Sequence, residues 1–238
     1  MAANTDEPNL PVLDALREMI EQGREADPLI GPKLGSQVAL DLLLEQLGTE
    51  RGVHAETLMA VTGLLMGQSV QACLWAEAQQ EERAGLPGVH VVRCEDGTTY
   101  FVGDPLNRRL MEGYGSPWGL LSEAARQEGC EPLPEREEML LEGIQRLGTP
   151  AFGEPEVPAD HAPLALDPSE QDNLWQMVRP LCQGCCSEPG DWPLLCGLIA
   201  VRALRLVTPH LAPFLAFRLA MDSAIDAAKV PQEKAFTS

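Results

Sequence analysis

The stretch from Glu56 to about Trp75 constrains the fold more than any other. Leu58, Met59, Val61, Leu64, Leu65, Met66, Val70, Cys73 and Leu74 surround most of a helical circumference there. A helix that is apolar all round has no solvent face, so other elements must enclose it. Gly63 and Gly67 lie one turn apart within it. Glycine weakens a helix interior, and its compensation is the close approach of another backbone. The expectation is a central buried helix over about 56–76 with a second helix against its glycine face. Its polar tail, 77–83, faces solvent.

The flanking sequence supplies enclosing helices. Val12, Leu13, Leu16, Met19 and Ile20 recur at helical spacing before Gly23 and Asp27-Pro28 stop the pattern. Leu40, Leu43, Leu44 and Leu47 repeat at i, i+3, i+4 and i+7 ahead of Gly48, and the two segments suggest a helical hairpin. Residues 89–94 and 98–102 are rich in β-branched and aromatic types, and Asp96-Gly97 between them marks a tight turn. An isolated hairpin is only marginally stable, so this one must pack on helices or join further strands.

A capping side chain precedes proline at Asp104-Pro105, Ser116-Pro117, Asp167-Pro168 and Thr208-Pro209. Such pairs suit the N-cap and first helical position, and Glu170 completes a capping box with Asp167. They predict helices over 105–112, 117–128, 168–181 and 209–227. Met139, Leu140, Ile144 and Leu147 predict another over 135–147. Four prolines between 148 and 167 make that segment the best linker candidate. The fold class expected is α+β and predominantly helical: a bundle around the long buried helix, carrying a small antiparallel hairpin or sheet. A single domain over 1–238 is favoured, the alternative being 1–147 and 168–238 joined by 148–167. No repeat of fixed period is present.

Charge narrows the partners. Thirty-six acidic against 17 basic side chains give a formal net charge of −19. That field opposes the phosphate neutralisation on which nucleic-acid binding depends. From Gly190 onward five bases meet four acids, +1, which leaves −20 on the residues before it. The carboxyl-terminal part therefore reads as an inner layer or an association surface. The most apolar region, 194–221, is interrupted by Arg202, Arg205 and Arg218 and broken by Pro209 and Pro213, so no membrane span is expected. Residues 1–9 lack the pattern of a secretory signal, and seven cysteines, an odd number, fit reduced thiols. Both point to the cytoplasm.

Three constellations are candidate sites. Cys182 and Cys185, spaced as in Cys-x-x-Cys with Gly184 easing a turn, could grip zinc if the fold brought Cys196 and His210 to them. The competing reading is that they are buried packing residues. Asp104, Asn107, Arg108, Ser116 and Trp118 follow the hairpin and could line a ligand cleft, with helix N-termini and an arginine meeting an anion. Trp192, Arg202, Arg205, Phe214 and Phe217 could form an interaction surface, the alternative being a core with arginines at its edge.

The familiar catalytic signatures are missing. Tyr114-Gly115-Ser116-Pro117-Trp118-Gly119 lacks the Gly-x-Ser-x-Gly spacing of a nucleophile elbow. Gly31-Pro32-Lys33-Leu34-Gly35-Ser36 misplaces the lysine of a phosphate loop, and His54, His90, His161 and His210 form no compact metal pair. Expected from all this is an acidic binding or protein-interaction protein, self-associating through its carboxyl-terminal helices as a homodimer or meeting a protein partner, with no cofactor. The alternatives are an enzyme with a fold-assembled site near 104–118 and a zinc-stabilised module using Cys182 and Cys185.

Overall fold

In the computed structural model, which describes residues 11–232, the glycine-bearing apolar stretch is a helix of 26 residues enclosed by others. In chain order the described residues form α1 (Pro11–Gly23), α2 (Ile30–Gln46), α3 (Ala55–Gln80), β1 (His90–Arg93), β2 (Thr99–Val102), α4 (Asp104–Met111), α5 (Pro117–Gln127), α6 (Arg136–Gln145), α7 (Pro168–Cys185), α8 (Trp192–Val207) and α9 (Pro213–Ala227). Residues 1–9, where a leader was sought, lie outside the described residues.

The glycine pair performs the predicted task. A Cβ on Gly63 would sit 2.1 Å from the Ala220 carbonyl oxygen, and one on Gly67 2.4 Å from that of Ala224. α9 answers with small side chains, Ala220, Ala224 and Ala227, so the two backbones nearly touch. α8 packs on another side of α3 and also meets α2 and α5. α3 is the one described helix long and apolar enough to cross a bilayer, yet 78% of its apolar window is buried by the rest of the chain.

Local signals placed most boundaries. The Asp167 carboxylate accepts from Glu170 N at 2.9 Å, while Glu170 Oε2 accepts from Asp167 N at 2.8 Å, completing the capping box. Ser116 Oγ accepts from Gly119 N at 3.2 Å and caps α5. Several boundaries differ from expectation. Asp104 is the first residue of α4 and no side chain caps that helix, its N-cap being Gly103. α7 runs past 181 to Cys185, so Cys182 and Gly184 are helical and form no turn. α2 starts at Ile30, ten residues ahead of Leu40, because Gly31 and Gly35 press against α7 and α8: a Cβ on Gly31 would lie 1.9 Å from Cys185 O. Thr208 closes α8 instead of opening α9, its N–H donating to Leu204 O at 3.0 Å and its hydroxyl to the same oxygen at 2.8 Å. α9 therefore begins at Pro213.

The hairpin is a two-stranded sheet in the register His90↔Val102 to Arg93↔Thr99. It is held from one side: β1 is exposed throughout, while Tyr100 and Phe101 of β2 are buried. Phe101 rests near Trp75 with ring centroids 6.5 Å apart, and its N–H donates to Lys229 O at 2.8 Å. The proline-rich segment 148–167 crosses the surface of a core shared by the helices on both sides of it, since α3 packs on both α8 and α9.

Candidate functional site

The segment between α6 and α7 is strapped to the bundle by side chains of α9 and α3. On α9, Arg218, Asp222 and Asp226 fall at i, i+4 and i+8 and share one face, which is buried. Asp222 Oδ2 accepts from Glu156 N at 2.9 Å, and Asp226 Oδ2 accepts from Gly153 N at 3.1 Å. Further along, Leu164 N donates to Thr57 Oγ1 at 2.8 Å, and His161 Nδ1 lies 2.9 Å from Glu56 Oε1 on the first turn of α3. Burial, the largest single influence, would raise the Glu56 pKa, but the bond to His161, a backbone N–H and the charges of His54 and His161 together outweigh it and hold the carboxyl below its ordinary range.

Carboxylates are buried here at a high desolvation cost, so they are matched by cations. Arg218 Nε bonds Asp222 Oδ2 at 2.9 Å, and its Nη2 reaches Glu156 at 3.0 Å and also Glu142 of α6. Burial would lower the Arg218 pKa, but Asp222 and Glu142 more than offset it and hold the guanidinium firmly charged. Arg146, which closes α6, lies 3.3 Å from Asp226 and 3.7 Å from Asp222. Burial raises the Asp226 pKa against the pull of Arg146 and Lys229. Lys229 Nζ donates to Ile225 O at 2.8 Å, and burial lowers its pKa to about 8 despite Asp226.

Beneath the strap runs a groove of about 730 Å³, within the roughly 300–1,000 Å³ usual for ligand sites. α3 contributes Ala60, Val61 and Leu64 to one wall, and the strap contributes Phe152, Val157 and Leu166 to the other. Ser223 and Asp226 of α9 also line it. Phe152 is itself anchored edge-on against Tyr100 of β2, with centroids 4.6 Å apart.

No protein-family model, curated protein or solved structure matches the chain.

The residues singled out after the hairpin do not converge. Asp104 and Arg108 face each other at 3.7 Å on an exposed surface of α4, and Asn107 lines a 40 Å³ cavity beside Lys229. Ser116 is spent on its cap, and Trp118 packs edge-on against Phe217 at 5.1 Å. Their adjacency in sequence is lost because α4 and α5 turn them to different sides.

The cysteine constellation is brought together in part, Cys196 meeting Cys182 while His210 stays apart. Cys182 is fully buried, with a pKa pushed up first by a thiol hydrogen bond with Cys196 and then by burial. Cys185 packs against Gly35 of α2, and burial raises its thiol to about 11. His210 is exposed on the turn after α8. Among the described residues, no group of three or more His, Cys, Asp or Glu side chains is placed to hold a metal ion. High thiol pKa values and full burial suit packing better than metal ligation.

Of the five residues read as an interaction surface, Trp192 and Phe217 are core side chains, 7% and 0% exposed. They cannot present themselves to a partner. Arg202 bonds Ser36 Oγ at 3.1 Å, Gln37 Oε1 at 2.7 Å and Lys33 O at 3.2 Å, tying α8 to α2. Arg205 reaches Gln127 Oε1 at 2.9 Å at the end of α5, while Phe214 remains 45% exposed.

Sequence reasoning passed over Arg218, Asp222 and Asp226, taking Arg218 for an interruption of an apolar run. The available signal was charge at i, i+4 and i+8 inside a helix otherwise apolar enough to be core.

Proposed function

We propose that the chain is a binding protein whose ligand, a small and largely apolar molecule, lies in the groove between α3, α9 and the strap. The observation that carries this reading is the strap itself. Polar tethers to Thr57, Asp222 and Asp226 hold a proline-rich segment over a cavity walled by small aliphatic side chains. An apolar surface held open in this way, with a few polar groups at its floor, has the composition of a ligand site. The excess of acid over base and the seven free thiols among the described residues support a cytoplasmic protein with no nucleic-acid partner.

Nile red, a neutral dye that brightens in apolar surroundings, tests the groove. Saturable binding is expected, and Ala60→Phe, which fills the wall of α3, should abolish it while the melting temperature changes little. Dye binding that survives Ala60→Phe in a folded variant would sink the reading.

A second reading, self-association, draws support from the turn between α8 and α9. Leu206 and Phe214 flank it at 49% and 45% exposure, beside Arg205 and His210. Exposed apolar residues at one turn suit a contact with a second copy. Native mass spectrometry should then show a dimer that Phe214→Glu dissociates, and a monomer in the unaltered protein would dismiss it.

A further inference from the structure

A second cavity, of about 320 Å³, lies between α3 and α7, away from the strap. Three of the chain's four tryptophans line it: Trp75 from α3, Trp175 from α7 and Trp192 at the start of α8. Facing helices in a core normally meet through apolar stripes at i, i+3, i+4 and i+7. Here the stripe of α7 that borders the cavity carries Asp172, Gln176 and Arg179 around Trp175, and Ala72 and Ala76 of α3 leave room opposite. Leu174, Val178 and Leu181 pack α7 on the core, and the polar stripe beside them, with Asp172 and Gln176 exposed, forms the solvent rim of the indole-lined space.

Arg179 is the exceptional member. Lys229 and Arg218 are buried, and Arg109, Arg146 and Arg202 partly so, and each of these cations donates to an oxygen of the chain. Arg179 is also partly buried, yet among the described residues it makes no hydrogen bond or ion pair, although acids outnumber bases 36 to 17. Its guanidinium is not sealed in the core, and no carboxylate among the described residues occupies it, so it is open to an anion that enters the cavity. Its planar fork matches a carboxylate in two parallel bonds.

We propose that this cavity is a binding site for a small aromatic monocarboxylate, its ring against the three indoles and its carboxylate on Arg179. Gln176, one turn before Arg179 on the same face, adds an amide donor to the carboxylate end. Asp172 lies two turns from Arg179, about 10 Å along the helix axis, and its negative charge rejects a ligand with a second anionic group at the far end. Charge selection by repulsion at one end and pairing at the other makes the site specific for a monoanion. The site is independent of the groove under the strap.

Calorimetric titration of the full chain with phenylacetate and with its neutral counterpart, phenylacetamide, decides it. Phenylacetate should bind saturably, and phenylacetamide more weakly by about tenfold or more, the usual scale for losing a charge-assisted pair. R179Q should erase the preference for the acid, and R179K should restore part of it. Because Arg179 has no partner to lose among the described residues, R179Q should melt where the unaltered protein does. Ala76→Leu, which narrows the cavity from α3, should abolish binding independently, whereas Ala60→Phe in the groove should leave it unchanged. Equal affinity for acid and amide, an intact preference in R179Q, or no saturable binding of phenylacetate would each overturn the proposal.

Discussion

Arg218 has the most to lose by substitution. Its guanidinium meets Asp222, Glu142 and Glu156 while its side chain is 9% exposed. Arg218→Met would leave Asp222, fully buried, without its nearest cation, and removal of one partner of a buried pair typically costs about 3–5 kcal/mol. Urea denaturation should show a loss of that size, and loss of the strap's tether should appear as faster proteolysis within 152–157. Two other buried groups oppose each other in alkali. Burial raises Cys185 from its ordinary 9.0 to about 11, so the unfolded chain loses this proton first. Its contribution to stability is intact below pH 9.0 and disappears as pH climbs toward about 11. Burial lowers Lys229 from 10.5 to about 8, so between those values the unfolded chain holds more protons and stability rises with pH. Unfolding free energies across this range should therefore fall less steeply in Cys185→Ala than in the unaltered protein, and more steeply in Lys229→Met.

At the scale of elements, the sharpest test is the contact between α3 and α9. Gly63→Ala drives a methyl to 2.1 Å from the Ala220 carbonyl, a backbone atom that cannot step aside without moving α9. A loss at the upper end of overpacking effects, about 3 kcal/mol, is expected in urea denaturation. Asp167→Ala, which removes only a cap at an exposed helix end, should cost about 1 kcal/mol. These elements were legible in the sequence because their determinants are local: Ser116, Asp167 and Glu170 bond residues three positions away. The start of α2 was not, because Gly31 and Gly35 are selected by contact with Cys185 and Leu195, more than 150 positions distant. Thr208 misled for a related reason. A threonine before proline can open a helix or close one, and here its N–H and hydroxyl both donate to Leu204 O at the end of α8.

For the whole molecule, one core joins the helices before and after the proline-rich segment, with α3 as the shared member. Unfolding followed by tryptophan fluorescence and by far-ultraviolet circular dichroism should give coincident curves, since the tryptophans sit on α3, α5, α7 and α8. Separate transitions would mean that 1–147 and 168–238 fold apart. By itself the sequence determined the helical class, the buried central helix, its close-approach face, the hairpin and the caps at Ser116 and Asp167, because periodicity and capping act within a few residues. Only the tertiary structure decided which charges meet. Arg218 finds Glu142 and Glu156 at separations of 76 and 62 positions, Asp226 finds the N–H of Gly153 at 73, and Arg179 finds no carboxylate among the described residues. Pairing of that kind depends on where helices stop and turn, which the spacing of residues along one helix does not encode.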